Sequence, residues 1–190
     1  MKTYILLAGV NGAGKSTTYQ TITKAVPDSV FINADNVLRA HHWDWHSQHA
    51  NIKAMRLAYQ NLLTAMNQGR NIIHETTLAS SVNGTLRLVN RAKSLGYRVE
   101  LQYIGVNSPE IALHRITERV KKGGHGIPEA VVRKRYGISL QRLAELVPEF
   151  DAVYLWDNSF NDAKLIFYRD GQEKLSYLSP EYAWVPDVFE

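Results

Sequence analysis

The chain has 190 residues, 45% hydrophobic and 21% charged, which is enough to bury one domain-sized core and excludes a disordered chain. Without a cysteine it has no disulfide, thiolate metal site, iron–sulfur ligand or cysteine nucleophile, as suits a reducing compartment. Twenty-two Lys plus Arg against 18 Asp plus Glu leave a net +4, too mild an excess to define a nucleic-acid binder.

In chain order, Tyr4–Ala8 is a continuous apolar run of the kind that is buried on both faces of a parallel sheet. The apolar stretch to Val10 is far short of a membrane span and has no cleavage pattern behind it, so the expectation is a cytoplasmic protein with no membrane partner. A helix is predicted from Lys15 to about Ala25, then strands at Val30–Asn33 and Asn71–Thr76 with a helix over Ala50–Gln68 between them. That helix places Ala50, Ala54, Leu57, Ala58, Leu62 and Ala65 on one face and ends at Gly69. Helices at Ser81–Leu95, Pro109–Lys122 and Pro128–Leu146 alternate with strands at Arg98–Val106 and Ala152–Trp156, the two prolines standing where a missing N–H is harmless. Lys164–Arg169 and Lys174–Leu178 flank Asp170-Gly171, a hairpin signal.

Strands separated by helices imply a three-layer α/β fold, a parallel sheet with helices on both faces and right-handed crossovers. The hairpin, at about 164–178, predicts an antiparallel addition at one edge. No linker, composition shift or repeat divides the chain, so residues 1–190 read as one domain.

The chemistry starts between the first strand and the first helix. Gly9-Val10-Asn11-Gly12-Ala13-Gly14-Lys15-Ser16-Thr17 matches G-x-x-x-x-G-K-[ST], the P-loop pattern, in the strand–loop–helix setting that it needs. Glycines let successive N–H groups turn toward phosphate oxygens, and the helix adds its positive end. Lys15 is expected at the β/γ-phosphates of ATP and Ser16 on Mg²⁺. There is no N-K-x-D motif for guanine, no L-S-G-G-Q signature and no room for the helical insert of a transporter ATPase. A small-molecule kinase fold is left.

Asp35 follows the second strand at the sheet edge where ligands bind in α/β proteins, placed to accept the proton of an attacking hydroxyl or to cap the helix that follows. Glu75 and Thr77 close the third strand at the same edge, as ligands for hydrated Mg²⁺ or substrate, or as capping residues. Between Arg115 and Arg135 lie seven basic and two acidic residues around Gly123-Gly124-His125-Gly126, a net +5, so the remainder of the chain nets −1. A hinged basic segment suits a lid that excludes water and neutralises a transferring phosphoryl group; a solvated basic surface is its alternative.

The segments GVNGAGKST, INAD, HETTLAS, RITERVKKGGHGIPEAVVRKRYGISLQRL and VYLWDNS resemble in order and spacing the zeta toxins, specifically their small zeta-like branch, across Thr3 to Ser159. The resemblance implies a kinase that phosphorylates UDP-N-acetylglucosamine or a related UDP-sugar and has an antitoxin partner. It implies Asp35 as catalytic base, Glu75 and Thr77 at the sugar nucleotide, and Arg119 with either Arg133 or Arg135 as lid arginines. It also implies Asn158 near adenine. A uracil pocket has no counterpart that can be mapped here. A kinase for another acceptor (a nucleoside, a metabolite or a polynucleotide end) is the alternative. A nucleotide-dependent nucleic-acid binder is the reading that the sequence favours least, as no aromatic residues interleave the basic segment.

His41-His42-Trp43-Asp44-Trp45-His46-Ser47-Gln48-His49 is left over. Its imidazoles and carboxylate suit zinc or nickel, but no helical register or closed-site spacing accompanies them. A loop beside the substrate cleft is the other reading, with Trp43 or Trp45 stacking on a base or sugar, or anchoring the loop to the next helix. The stretch Tyr177–Trp184 is expected to pack the tail over the sheet.

Overall fold

The computed structural model describes residues 1–160 and 162–189. Strand β1 (Thr3–Ala8) leads through the glycine loop into α1 (Lys15–Ala25); β2 (Val30–Ile32), α2 (Ala34–Ala40) and α3 (Gln48–Asn67) follow. Then come β3 (Ile72–Thr76), α4 (Val82–Ser94), β4 (Arg98–Gly105), α5 (Pro109–Lys121) and α6 (Glu129–Leu146). The chain continues through β5 (Ala152–Asp157), β6 (Lys164–Asp170) and β7 (Glu173–Ser176). The sheet order is β2-β3-β1-β4-β5-β6-β7, with β1 to β5 parallel and β6 and β7 added antiparallel.

The unbroken apolar run of β1 is explained by its position. Tyr4, Leu6 and Ala8 face the layer of α3 and α4, with Leu62, Met66, Val89 and Ala92, while Ile5 and Leu7 face Ile22 of α1 and Ile116 of α5. A central strand covered on both faces has no polar side to show. Helix α6 reaches both layers, with Val132 in one and Leu143 and Leu146 in the other.

Local chemistry sets the ends of several elements. Gly69 and Gly96 follow α3 and α4 with φ of 67° and 77°, the left-handed turn that closes a helix without a Cβ clash. Helix α3 starts two residues before the expected Ala50, because the Ser47 side chain accepts the Ala50 N–H and caps it. Of its expected face, Ala54, Ala58, Leu62 and Ala65 are buried, whereas Ala50 and Leu57 are half-buried. Asp35 is not a cap: Asn33 occupies that position, its Oδ1 accepting from Asp35 N at 2.7 Å and Asn36 N at 3.3 Å, so the Asp35 carboxylate is left exposed.

The tail packs as expected and braces the sheet end as well. Trp184 is buried and donates from Nε1 to Asp157 Oδ1 at 2.8 Å. Its ring fills the space beside Gly105, where a Cβ would come within 2.3 Å of it. No described helix is long and apolar enough to cross a membrane.

Candidate functional site

The loop after β1 is held against its neighbours by backbone contact. Gly9 has φ of 139°, and a Cβ there would lie 2.2 Å from the Ile104 carbonyl oxygen. Gly12 lies against the Ala112 carbonyl, and a Cβ on Gly14, with φ of 97°, would lie 2.1 Å from Asn158 Nδ2. Buried Ala13 donates its N–H to Val10 O at 3.1 Å, while the Ser16 and Thr17 side chains open to solvent at the start of α1.

Lys15 is buried and donates from Nζ to Gly9 O at 2.7 Å and Val10 O at 3.2 Å. Glu75 Oε1 is 3.9 Å from Nζ, and Glu75 Oε2 is buried with no hydrogen-bond partner. Burial pushes the Lys15 pKa below its ordinary value. Glu75 and Asp35 oppose that shift, and Arg119 and Arg135 add to it. Four side chains named from widely separated segments therefore share the field of one ammonium. Thr77 is half-buried beside Leu78, a buried residue held at φ of 57° whose N–H is accepted by Thr76 Oγ1.

The three arginines expected of a lid divide clearly. Arg135 Nη1 donates to Asn11 Oδ1 of the phosphate loop at 2.8 Å. Arg133 turns the other way, its Nε to Glu129 Oε1 at 2.8 Å and its Nη1 to Glu110 Oε1 at 2.5 Å. Arg119 donates through Nε and Nη2 to the His125 carbonyl at 3.0 and 2.8 Å, bracing the glycine hinge.

Asn158 is buried beneath the loop, with Nδ2 donating to Ala13 O at 2.7 Å. Its neighbours hold it there. Asp157 Oδ1 accepts from Ser159 Oγ at 2.7 Å as well as from Trp184, and Ser159 Oγ accepts from Asn107 N at 2.9 Å. Asp157, Ser159 and Trp184 were not among the residues singled out for the site; a carboxylate directly before Asn158 at a strand end was the signal available. Arg115 was also passed over. It donates from Nη2 to Phe160 O at 3.1 Å and lines an open cleft of about 440 Å³ with His114, Glu118, Arg119, Lys122 and Gly124.

Behind the loop, His74 Nδ1 lies 2.8 Å from the Tyr4 hydroxyl. Burial lowers the His74 pKa to about 4 and raises that of Tyr4, so the imidazole is neutral and the tyrosine is the donor. The His41–His49 loop does not form the metal site considered above: among the described residues, no group of three or more His, Cys, Asp or Glu converges to hold an ion. Trp43 anchors the loop instead, stacked on His41 at 4.5 Å and lying under Lys53 Nζ at 4.4 Å.

The donor set beside Lys15 fits a hard divalent cation. The Ser16 hydroxyl and the unpartnered Glu75 oxygen are both oxygen donors, and Mg²⁺ takes few protein ligands, completing its shell with water and phosphate. Ser16 would hold the ion directly and Glu75 through water.

The profile of one family, Zeta toxin, matches residues 1–174. An uncharacterized protein of Haemophilus influenzae is 36% identical over 132 residues, which is 70% of this chain and 91% of that protein. A solved structure from the PezAT chromosomal toxin–antitoxin system of Streptococcus pneumoniae superposes with a TM-score of 0.70 at 17% identity, over 88% of this chain and 72% of that one. A structure of AvrRxo1-ORF1:-ORF2 with ATP gives a TM-score of 0.69 at 17% identity, over 96% of this chain and 61% of that one. The mainly parallel sheet, the glycine loop after its central strand and the match along most of the sequence agree: this chain belongs to the Zeta toxin family.

Proposed function

We propose that this protein is an ATP- and Mg²⁺-dependent kinase that transfers the γ-phosphoryl group to a hydroxyl of a UDP-sugar such as UDP-N-acetylglucosamine. The observation that carries the reading is buried Lys15 in the glycine loop, with Glu75 Oε1 3.9 Å from its Nζ and Arg135 bonded to Asn11 of the same loop. Family membership supports it, as does the fold shared with a structure described as containing ATP.

In this reading Lys15 exchanges the carbonyls of Gly9 and Val10 for β/γ-phosphate oxygens, a more favourable partnership for a buried ammonium. Ser16 directly, and Glu75 through water, would hold Mg²⁺, which when bound would supply neutralising charge at the same phosphates. Arg135, already at Asn11, is the second lid arginine. Arg119 reaches the transferring group when it leaves the His125 carbonyl. Both stabilise charge spreading over the phosphoryl oxygens. Asp35, exposed at the strand edge, accepts the acceptor's proton, and Thr77 hydrogen-bonds the acceptor beside Glu75. The cleft lined by Arg115 and Arg119 takes the base of ATP. Asn158, below the loop, sets the height at which that base meets the protein.

The UDP-sugar follows from the family resemblance, as does an antitoxin that would restrain consumption of cell-wall precursors. The PezAT and AvrRxo1 neighbours are described as a toxin–antitoxin system and as a two-component complex, respectively. The test is ATP consumption with a panel of UDP-sugars, nucleosides and polynucleotide ends, with Lys15→Ala and Asp35→Asn as controls. Phosphorylation of a UDP-sugar that is lost in both variants is the expected result. Turnover on a different acceptor moves the substrate assignment, and full turnover by Asp35→Asn removes the base assignment.

A further inference from the structure

Trp45 leaves the loop between α2 and α3 and touches the lid. Its indole stacks on the His46 ring at 3.5 Å and on the His125 ring, in the hinge between α5 and α6, at 5.5 Å with an interplanar angle of 26°. It also covers Gly126, where a Cβ would make ordinary contact with the indole at 3.5 Å. The contact bridges residues that lie about 80 positions apart.

Both ends of this bridge are fixed. On one side, Trp43 N donates to Leu38 O at 3.0 Å, tying the loop to α2. Asn51 Nδ2 donates to Trp45 O at 2.7 Å and to Ser47 O at 2.8 Å, tying it to α3. Asp44 Oδ1 accepts from His46 N at 2.9 Å and lies 2.9 Å from His46 Nδ1, which steadies the ring under the indole. Trp45 is thus carried on the same unit as Asp35, the second residue of α2. On the other side, the carbonyl of His125 is the group gripped by Arg119.

We propose that Trp45 is a positioning residue: it seats the lid hinge on the α2–α3 unit, holding the lid arginine Arg119 in register with the acceptor-side carboxylate Asp35. This rests on the kinase reading above and adds a residue to it. Gly123, Gly124 and Gly126 widen the backbone choices of the hinge, and the helix-end bonds of Gly123 and Gly124 and the grip of Arg119 on His125 tie it to α5 without fixing where it meets the α2–α3 unit. An aromatic seat fixes that point at little entropic cost, since an indole has few rotamers to lose. Catalysis by positioned charges is sensitive to placement on the ångström scale, so a loose hinge lowers the rate without unfolding the site.

The experiment has two readouts. In the first, hydrogen exchange of residues 123–127 in the full chain, Trp45→Ala quickens exchange about 2- to 10-fold, the range that one aromatic pair accounts for, and leaves α3 and the sheet unchanged. Trp45→Phe, which keeps a ring, restores the slow rate. The second is steady-state turnover with the acceptor identified above. There Trp45→Ala lowers kcat about tenfold with KM for ATP within about twofold, and Trp45→Phe recovers most of the loss. His125→Ala matches Trp45→Ala from the other side, and the double variant is no worse than either single one.

Unchanged exchange at 123–127 in Trp45→Ala overturns the seat, whatever the activity does. Faster exchange with unchanged kcat, or losses that multiply in the double variant, overturns the positioning role. If the wild type transfers phosphate to no hydroxyl acceptor, the kinase reading falls and takes the positioning role with it, while the exchange result still decides whether the seat exists.

Discussion

The glycine loop after β1 and the basic segment Arg115–Arg135, the lid of the proposed kinase, are held by opposite means. Around the loop, Gly9, Gly12 and Gly14 press against buried backbone and the Asn158 amide at distances that no side chain could share. The basic segment is held by side chains at the surface: exposed Arg119 on a carbonyl, exposed Arg133 on two glutamates and half-buried Trp45 on a histidine ring. Contacts of the first kind belong to the folded core, and their loss is felt in stability. Contacts of the second kind are individually weak and exchange partners readily, as a moving element requires. Substitutions in the loop should therefore damage stability and binding together, while substitutions in the lid should leave stability nearly unmoved.

The largest effect, and the sharpest form of the contrast, is expected within the lid. Arg135→Ala lowers kcat on the order of 10³-fold, roughly 4 kcal/mol of barrier, with the urea midpoint nearly unmoved. Arg133→Ala, two residues away and paired with Glu110 and Glu129, changes kcat by less than about threefold. Equal losses in the two would erase the distinction between them. Next comes Gly9→Ala, which forces a Cβ against the Ile104 carbonyl at a φ of 139°. It should cost about 3 kcal/mol of stability and remove ATP binding with it. A variant that lost nucleotide binding at full stability would show the loop to be less tightly built than its contacts imply.

A third test uses pH. The folded pKa of His74, about 4, lies below the 6.5 of a free imidazole, so the unfolded chain takes up a proton that the native state refuses. The resulting stability is fully present above pH 6.5 and declines as pH falls toward 4, by roughly 3 kcal/mol at most. Urea midpoints at pH 7, 5.5 and 4.5 follow the decline, and His74→Gln should flatten it. The smallest effect is that of Asn158→Ala. It strands the Ala13 carbonyl and should lower stability by about 1–2 kcal/mol. A Tm shift read beside the ATP Kd shows whether bracing the loop and holding the nucleotide are the same task.

Much of this could be read from the residues in order. The strand–loop–helix around Gly9–Thr17, the alternation of strands and helices and the Asp170-Gly171 hairpin are local signals, and each occurs where its chemistry predicts. The proposed site was legible as a set of segments: Asp35, Glu75, Arg119 and Lys15 come from four of them. What stayed hidden depended on phase and distance. Residues two apart on a helix point about 200° apart, so only one of Arg133 and Arg135 can face the loop, and spacing alone does not say which. Arg115 looked like one more basic residue until Phe160 was beside it. Asp35, by position, suits either a base or a helix cap, and only the fold shows that Asn33 reaches the free N–H groups instead.

The sequence by itself determined the phosphate loop, the parallel sheet around a doubly buried first strand and the concentration of positive charge between Arg115 and Arg135. These are properties of contiguous residues, because glycine dihedrals, apolar periodicity and net charge act over a few positions at a time. Tertiary structure alone decided that Arg135 meets Asn11, that Trp184 and Asp157 secure the strand end carrying Asn158, and that Trp45 meets His125. Each of these joins residues far apart in the chain, and their meeting is set by how helices pack on a twisted sheet.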